Sequence, residues 1–217
     1  MTLAIFDLDH TLLDGDSDQL WGPYFAAKAG LDQDAHVRQA QQFYADYVKG
    51  KLDIEAFMAF ALEPLSQFDM TRLLEWREEY VESVIRPIML QSAVDLIETH
   101  RAKGDTLMII TATNRFITAP IAELFQVDHL LATQPEIENG QFTGRYLGTP
   151  TFREGKVTVL HEWLAQNEQT LSGSYFYSDS ANDIPLLEVV DNPVATNPDD
   201  RLKRHAEEKK WPILLLK

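Results

Sequence analysis

Ala4-Ile5-Phe6-Asp7-Leu8-Asp9-His10-Thr11 is an apolar run that breaks off into acids. Read as a β-strand, its alternation sets Asp7 and Asp9 on one face, two residues apart, where the hydrophobic run stops and Gly15 opens a loop. Two carboxylates so placed can divide nucleophile, acid and base roles between them. The pattern Asp-x-Asp-x-Thr is only moderately specific, because Asp is also a turn former at strand ends. Its meaning therefore depends on partners elsewhere in the chain.

Those partners follow in order. A second apolar run, Thr106-Leu107-Met108-Ile109-Ile110, ends in Thr111-Ala112-Thr113-Asn114, which offers a hydroxyl at a strand tip and a helix N-cap. Gly155-Lys156 then opens an amphipathic stretch with Val157, Leu160, Trp163 and Leu164 at helical spacing, placing the lysine in a first turn. A third run, Ser174-Tyr175-Phe176-Tyr177, leads into Ser178-Asp179-Ser180-Ala181-Asn182-Asp183. Taken singly, Asp7 and Asp9 suit turns or caps, Thr111 a loop hydroxyl, Lys156 a solvated helix position, and Asp179 and Asp183 a helix N-terminus. The joint pattern gives them a common purpose.

Between Leu20 and about Ile85 apolar residues recur at helical spacing without strand-like alternation, predicting helices near 18–29, 33–49, 53–62 and 69–84. Arg86-Pro87 punctuates the end of this stretch. The remainder reads as helix 88–102, strand 105–111, helix 115–125, an apolar piece at 129–132, strand 174–178, helix 182–188, strand 193–195, helix 199–207 and a closing apolar run, Trp211–Leu216. Glu136–Gly144 reads as a hairpin turned by Asn139-Gly140 and expected to flank the main sheet. The expected fold class is α/β: a doubly wound, mainly parallel Rossmann-like sheet with an inserted helical cap, the core spanning 1–16 and 86–217 and the cap 17–85. Ligands in such sheets sit at the carboxyl ends of strands, where all the motifs lie.

Composition sets limits. The 217 residues, 45% of them hydrophobic, can bury a sizeable core, and the absence of cysteine excludes disulfides and thiolate zinc sites. A formal charge of −15 argues against nucleic acid or an anionic membrane as the main partner. No apolar leader precedes Asp7, so a cytoplasmic protein is expected.

The four motifs resemble, in order, those of the haloacid dehalogenase-like phosphatase superfamily: Asp7-Leu8-Asp9-His10-Thr11 the first, Thr111 the second, Lys156 the third, and Ser178–Asp183 the fourth. The resemblance runs from Leu3 to about Trp211-Pro212. It implies that Asp7 attacks phosphorus to form an aspartyl-phosphate while Asp9 protonates the leaving alkoxide and then activates water. It also implies a Mg²⁺ held by Asp7, the Asp9 backbone carbonyl and Asp179, with Asp183 and Asn182 in support. A cation is needed, because two like charges 4 Å apart repel by roughly 4 kcal/mol at an effective dielectric near 20. Lys156 supplies further positive charge, and Thr111 with the N–H groups at Ala112 donates to phosphoryl oxygens. Alternation turns His10 away from the site. Trp21, Phe43, Tyr44, Tyr47, Phe57 and Phe60, at helical spacing, read as cap core.

The acid-x-Ala-Asn-Asp motif and Ala195–Asp199 are similar to the phosphoserine-phosphatase-like subgroup. There an acid downstream of the first motif receives the substrate amine, and Asp16 sits at the matching offset. The chain departs from the pattern in Ile54–Leu62, which lacks the carboxylate-binding arginine of that subgroup's cap. A carboxylate without a cationic partner binds poorly. The partner implied is a small phosphorylated, amine-bearing metabolite, with histidinol phosphate first and phosphoserine second. A phosphotransferase or mutase sharing the nucleophile and a non-catalytic phosphometabolite-binding module stand as the other classes.

Overall fold

The computed structural model describes residues 2–217, the side chain of Gln33 apart. Six strands form one sheet: β1 (Leu3–Phe6), β2 (Thr106–Thr111), β3 (His129–Ala132), β6 (Tyr175–Ser178), β7 (Asn192–Thr196) and β8 (Ile213–Leu214). Their order is β3-β2-β1-β6-β7-β8, and every pairing is parallel. The expected doubly wound α/β fold is therefore present, and the closing apolar run adds a sixth strand at its edge. β1 lies at the switch point: the chain first builds outward through β2 and β3, then returns to the other flank of β1 with β6.

Period-two alternation divides the core between the two faces of this sheet. Ala4, Phe6, Leu107 and Ile109 join the cluster covered by α5 (Gln91–Ala102) and α6 (Arg115–Leu124). Leu3, Ile5, Met108 and Ile110 join the one covered by α7 (Glu154–Gln166), α8 (Ile184–Leu187) and α9 (Asp200–Lys209). Apolar residues on both faces make these strands continuous hydrophobic runs, as a sheet buried on both sides requires. Among the described residues no helix is long and apolar enough to cross a membrane.

Four helices occupy the stretch after β1: α1 (Ser17–Ala29), α2 (Gln33–Val48), α3 (Ile54–Leu62) and α4 (Met70–Tyr80). Each starts at an aspartate whose carboxylate accepts N–H groups of its own first turn: Asp16, Asp32, Asp53 and Asp69. Such caps satisfy orphan donors and account for part of the chain's acidity. α4 ends in a π-helical turn, Val81–Ile85, before the 3₁₀ turn Arg86–Ile88 that Pro87 opens. The segments entering and leaving these helices are stitched together, with Leu13 bridged to Met89, Asp14 N–H donating to Ile88 O at 2.7 Å and Leu90 N–H to Leu12 O at 3.1 Å.

The hairpin is β4 (Gln134–Glu138) and β5 (Gln141–Leu147), and Asn139 and Gly140 turn it at φ 52° and 80°. Its position corrects the expectation that it flanks the main sheet. It packs between the inserted segment and α6 of the core: Tyr146 donates its hydroxyl to Glu55, the backbone of Gly144 lies against Glu63, and buried Phe142 meets Phe116 of α6 edge-on at 5.1 Å. An isolated two-stranded hairpin needs such a partner to cover its apolar face.

One buried polar chain ties α5 to the sheet. His100, 1% exposed, has Nδ1 2.8 Å from Asp105 Oδ2 and Nε2 2.8 Å from the Tyr177 hydroxyl. With Asp105 ionised the proton sits on Nδ1, which leaves Nε2 to accept from Tyr177. Tyr177→Phe therefore strands a buried ring nitrogen and should lower unfolding free energy by about 1–3 kcal/mol. Urea titration checks this, and a variant as stable as the parent would show that the nitrogen finds another donor.

Candidate active site

β1 stops at Phe6, and Asp7 extends its pairing by one bond, donating N–H to Tyr177 O at 2.9 Å. The following residues turn rather than continue as a strand. His10 takes φ 56°, with its N–H bonded to Gly15 O at 2.9 Å. Asp7 and Asp9 line the same cavity; the assigned strand ends before them and the turn begins at Asp9. The same turn corrects the reading of His10, which also lines that cavity.

Lys156 is 2% exposed, and its Nζ bridges Asp7 Oδ1 and Asp183 Oδ2, both at 2.7 Å. Gly155 allows the helix start that presents it, because a Cβ there would stand 2.0 Å from the Pro150 carbonyl oxygen. Asp183 also accepts from Ser178 Oγ at 2.7 Å. Thr11 Oγ1 stands 3.5 Å from Asp7 Oδ2 and 3.3 Å from Asp179 Oδ1, so those carboxylates converge on one hydroxyl. Thr111 is buried at the tip of β2 and Ala112 follows it; both line the cavity, at the N-terminal end of α6 that Asn114 caps. Among the described residues no three His, Cys, Asp or Glu side chains form a cation cage, and the converging donors are the carboxylate pair Asp7 and Asp179.

Asp9 Oδ1 accepts the N–H of Ser17 at 2.6 Å, and its Oδ2 accepts the hydroxyl of Thr113 at 2.9 Å. Thr113 was not singled out from the sequence; its place two residues beyond Thr111 at the same strand tip is the signal for it. Burial raises the Asp9 carboxyl well above the usual range, with Asp16 and Asp7 adding to the effect. Burial also pushes Asp7 up to about 6, against the pull of Lys156, and Asp179 rises from burial and its neighbours Asp7 and Asp183.

Asn182 Nδ2 donates to Tyr47 O, at the end of α2, at 3.1 Å, and the Tyr47 hydroxyl donates to Ser180 Oγ at 3.1 Å. Asp16 is on the cavity wall, but its carboxylate caps α1, with Oδ1 accepting from Asp18 N and Gln19 N and Oδ2 from Gln19 Nε2, each at 2.9 Å.

The cavity, about 100 Å³, extends from these strand ends beneath the inserted helices. Three of the four give it one face each: Asp18, Trp21, Gly22 and Phe25 from α1; His36, Ala40, Phe43 and Tyr47 from α2; Ile54, Phe57 and Ala61 from α3. Phe43, Tyr44, Tyr47, Phe57 and Phe60 are thus cavity wall, half-buried or exposed, and not the cap core expected of them. The aromatic packing centre of these helices joins Phe25 to Phe68 and Trp76, at 5.8 and 6.0 Å. The sequence offers Asp14, Asp16 and Asp18 as acids near the entrance and Asp18 or Ser17 as the cap of the following helix; the cap is Asp16, and Asp16 and Asp18 line the cavity.

Residues 4–188 match the family model described as haloacid dehalogenase-like hydrolase. A protein of Neisseria meningitidis named histidinol-phosphatase is 43% identical over 219 residues, covering 99% of this chain and 99% of that one. A crystal structure of a Bordetella pertussis protein of unknown function matches over 100% of both chains, at TM-score 0.93 and 43% identity. A substrate-bound phosphoserine phosphatase matches 100% of this chain and 93% of its own at TM-score 0.72; at 18% identity that likeness concerns the fold alone. With four motif segments gathered at the switch point of a parallel sheet and most of its length matching the family model, the chain belongs to the haloacid dehalogenase-like hydrolases and is an enzyme of their phosphatase type.

Proposed function

We propose that this enzyme is a Mg²⁺-dependent phosphomonoesterase that works through an aspartyl-phosphate on a small amine-bearing metabolite, histidinol phosphate. One observation carries the proposal, the layout of charge along a single cavity. Among the described residues Lys156 is the one Lys or Arg that lines it, at the strand-end floor, whereas Asp16 and Asp18 stand on the wall above and aromatic rings close the far side. A phosphate fits the floor, an ammonium the acidic wall and a planar ring the aromatic end. The carboxylate of phosphoserine would face acids with no cationic partner. The 43% identity to a protein named histidinol-phosphatase supports the same choice.

In this reading residues 17–85 form a cap over a core of 1–16 and 86–217, and the enzyme is cytoplasmic. Magnesium takes oxygen donors and commonly uses only one or two protein carboxylates, so Asp7, Asp179 and the Asp9 carbonyl suit it. Bound there, it would neutralise charge between nucleophile and phosphoryl oxygens. Thr111, the N–H groups around Ala112 and the Lys156 ammonium hold the phosphoryl oxygens. An Asp7 oxygen forms a bond to phosphorus as the ester P–O bond breaks, and the proton on Asp9 passes to the departing alkoxide. Asp9, now ionised, takes a proton from water as that water attacks phosphorus, which frees Asp7 and inorganic phosphate. The raised affinity of Asp9 for its proton suits the first step, and its bonds to Ser17 and Thr113 fix its direction. Asp183 keeps Lys156 in place, while Asn182 holds the end of α2 against the core.

Three outcomes test this reading. Phosphate release from histidinol phosphate, phosphoserine, sugar phosphates and nucleoside monophosphates should be fastest for the first and should stop in EDTA. Preference for phosphoserine would replace the substrate, and transfer to an added alcohol in place of release would make the protein a phosphotransferase. Asp7→Asn should keep the fold, by circular dichroism, and lose roughly 10⁴-fold or more in turnover, as removal of a nucleophile does; residual activity near the parent's would exclude Asp7 as the attacking group. The third outcome concerns pH. Asp7 at about 6 and Asp18 at about 7 bind protons more tightly folded than unfolded, so their contribution is fully present at low pH and fades as pH rises through 6 to 7. Without metal, the melting temperature should therefore fall from pH 5 to pH 8. Mg²⁺ at 100 times its dissociation constant should restore about 2.7 kcal/mol at the alkaline end; a melting temperature that ignores Mg²⁺ there would refute binding.

A further inference from the structure

Asp18 and His36 line the upper cavity with no hydrogen-bond partner for their side chains among the described residues. Asp18 lies one turn before Gly22 and two before Phe25 on the inward face of α1, and its carboxylate makes no hydrogen bond among the described residues. His36 of α2 stacks on Phe60 with ring centroids 4.5 Å apart and likewise has no hydrogen-bond partner among the described residues. Its Nε2 is 3.4 Å from where a Cβ on Gly22 would stand, so the imidazole edge lies against α1 at Gly22. Asp18 and Gly22 are i,i+4 neighbours, roughly 5–6 Å apart on one helix face. The two unpaired groups are therefore about one helical turn apart along a wall that is otherwise largely aromatic and aliphatic.

We infer that Asp18 and His36 select the substrate, Asp18 receiving its ammonium and His36 hydrogen-bonding a ring nitrogen of its heteroaromatic group. This rests on the phosphatase reading above and sharpens it, because it moves amine recognition from Asp16 to Asp18. Both oxygens of Asp16 already serve the first turn of α1. An unpaired carboxylate among aromatic rings is costly unless a cation meets it, and burial with Asp16 nearby pushes Asp18 up to about 7. Desolvation lowers the proton affinity of His36 and keeps it neutral, which leaves one ring nitrogen to accept and one to donate. Such a ring pairs with an imidazole N–H or lone pair, whereas a phenyl group offers it nothing. One methylene separates the ring from the amine-bearing carbon in histidinol phosphate, a spacing that suits two wall groups one turn apart.

The experiment compares kcat/KM for three esters on the Mg²⁺-loaded enzyme: histidinol phosphate, phenylalaninol phosphate, which keeps the amine but lacks ring nitrogen, and 3-(imidazol-4-yl)propyl phosphate, which lacks the amine. Ratios within one preparation cancel any loss of folded protein. Asp18→Asn should cut the preference for histidinol phosphate over the amine-free ester roughly tenfold or more, as loss of a charged hydrogen bond does. His36→Phe should cut the preference over phenylalaninol phosphate roughly threefold to tenfold. Asp16→Asn, which keeps a capping oxygen, should move neither ratio as far as Asp18→Asn. Parental ratios in Asp18→Asn and His36→Phe would overturn the inference while leaving the phosphatase reading intact, and so would an amine preference lost in Asp16→Asn alone. A parent enzyme that hydrolyses an aryl phosphate but not histidinol phosphate would sink the substrate reading, and this inference with it.

Discussion

The buried bridge of Lys156 between Asp7 and Asp183 sets the terms for the rest of the molecule. Its three members come from the end of β1, the first turn of α7 and the turn after β6, and all are nearly inaccessible. Removing one partner of such a bridge leaves a charge stranded in the interior, at a cost of about 3–5 kcal/mol. The three segments therefore hold one another in register, and the sheet order that sets β6 beside β1 is what permits it. The bridge does not balance the site, however. Asp179 joins Asp7 at the Thr11 hydroxyl, so one ammonium faces three carboxylates. Burial above all, with this surplus adding to it, makes Asp7 and Asp179 cling to protons, and the surplus makes the floor a receptor for further positive charge.

Much of this was readable in the chain because strands buried on both faces and helices with one wet face leave different periods. β1, β2 and β6 were legible as apolar runs, and Asp and Asn caps marked helix starts at Asp53, Asn114 and Asp199. What the sequence hid depends on chain reversal. The reading of Asp7 and Asp9 as neighbours at a strand end placed them in the right company, whereas the backbone reversal at His10, φ 56°, left no mark in the local pattern. The hairpin was legible from Asn139-Gly140, but no local pattern states which surface a hairpin covers, and its true partners, Glu55 and Glu63, are some 80 residues earlier.

The aromatic residues of the helical insert carry a further lesson. Helical periodicity reports which face is kept from bulk water, without saying what covers it. Phe43, Phe57 and Phe60 follow the period as faithfully as Trp21 and Phe25, and all five line the cavity, but only Trp21 and Phe25 are also buried, with Phe25 packed on Phe68 and Trp76. The distinguishing mark is polar residues on the apolar stripe. Asp18 shares a face with Trp21 and Phe25, and His36 shares one with Ala40 and Phe43. A charge or imidazole on a core-facing stripe carries a desolvation cost that packing alone does not offset. Such residues point to a cavity and to something that enters it.

The same helix links recognition to chemistry. Asp16 caps α1 and so fixes the N–H of Ser17, which Asp9 accepts at 2.6 Å, and Asp18 is the next residue along. On the proposed reading, the segment that meets the substrate's ammonium is thus the segment that aims the acid. If α1 shifts when the amine arrives, Asp9 shifts with it, because no flexible residue intervenes between Ser17 and Asp18. Tyr47 and Asn182 fasten α2 to the turn that carries Asp179 and Asp183 in the same way. Binding energy from the non-reacting end of the substrate is then expressed at the reacting end, which is the arrangement that raises kcat along with affinity. A phosphate ester without an amine could occupy the floor and still find the acid less well aimed, so selectivity here resides in turnover as much as in binding.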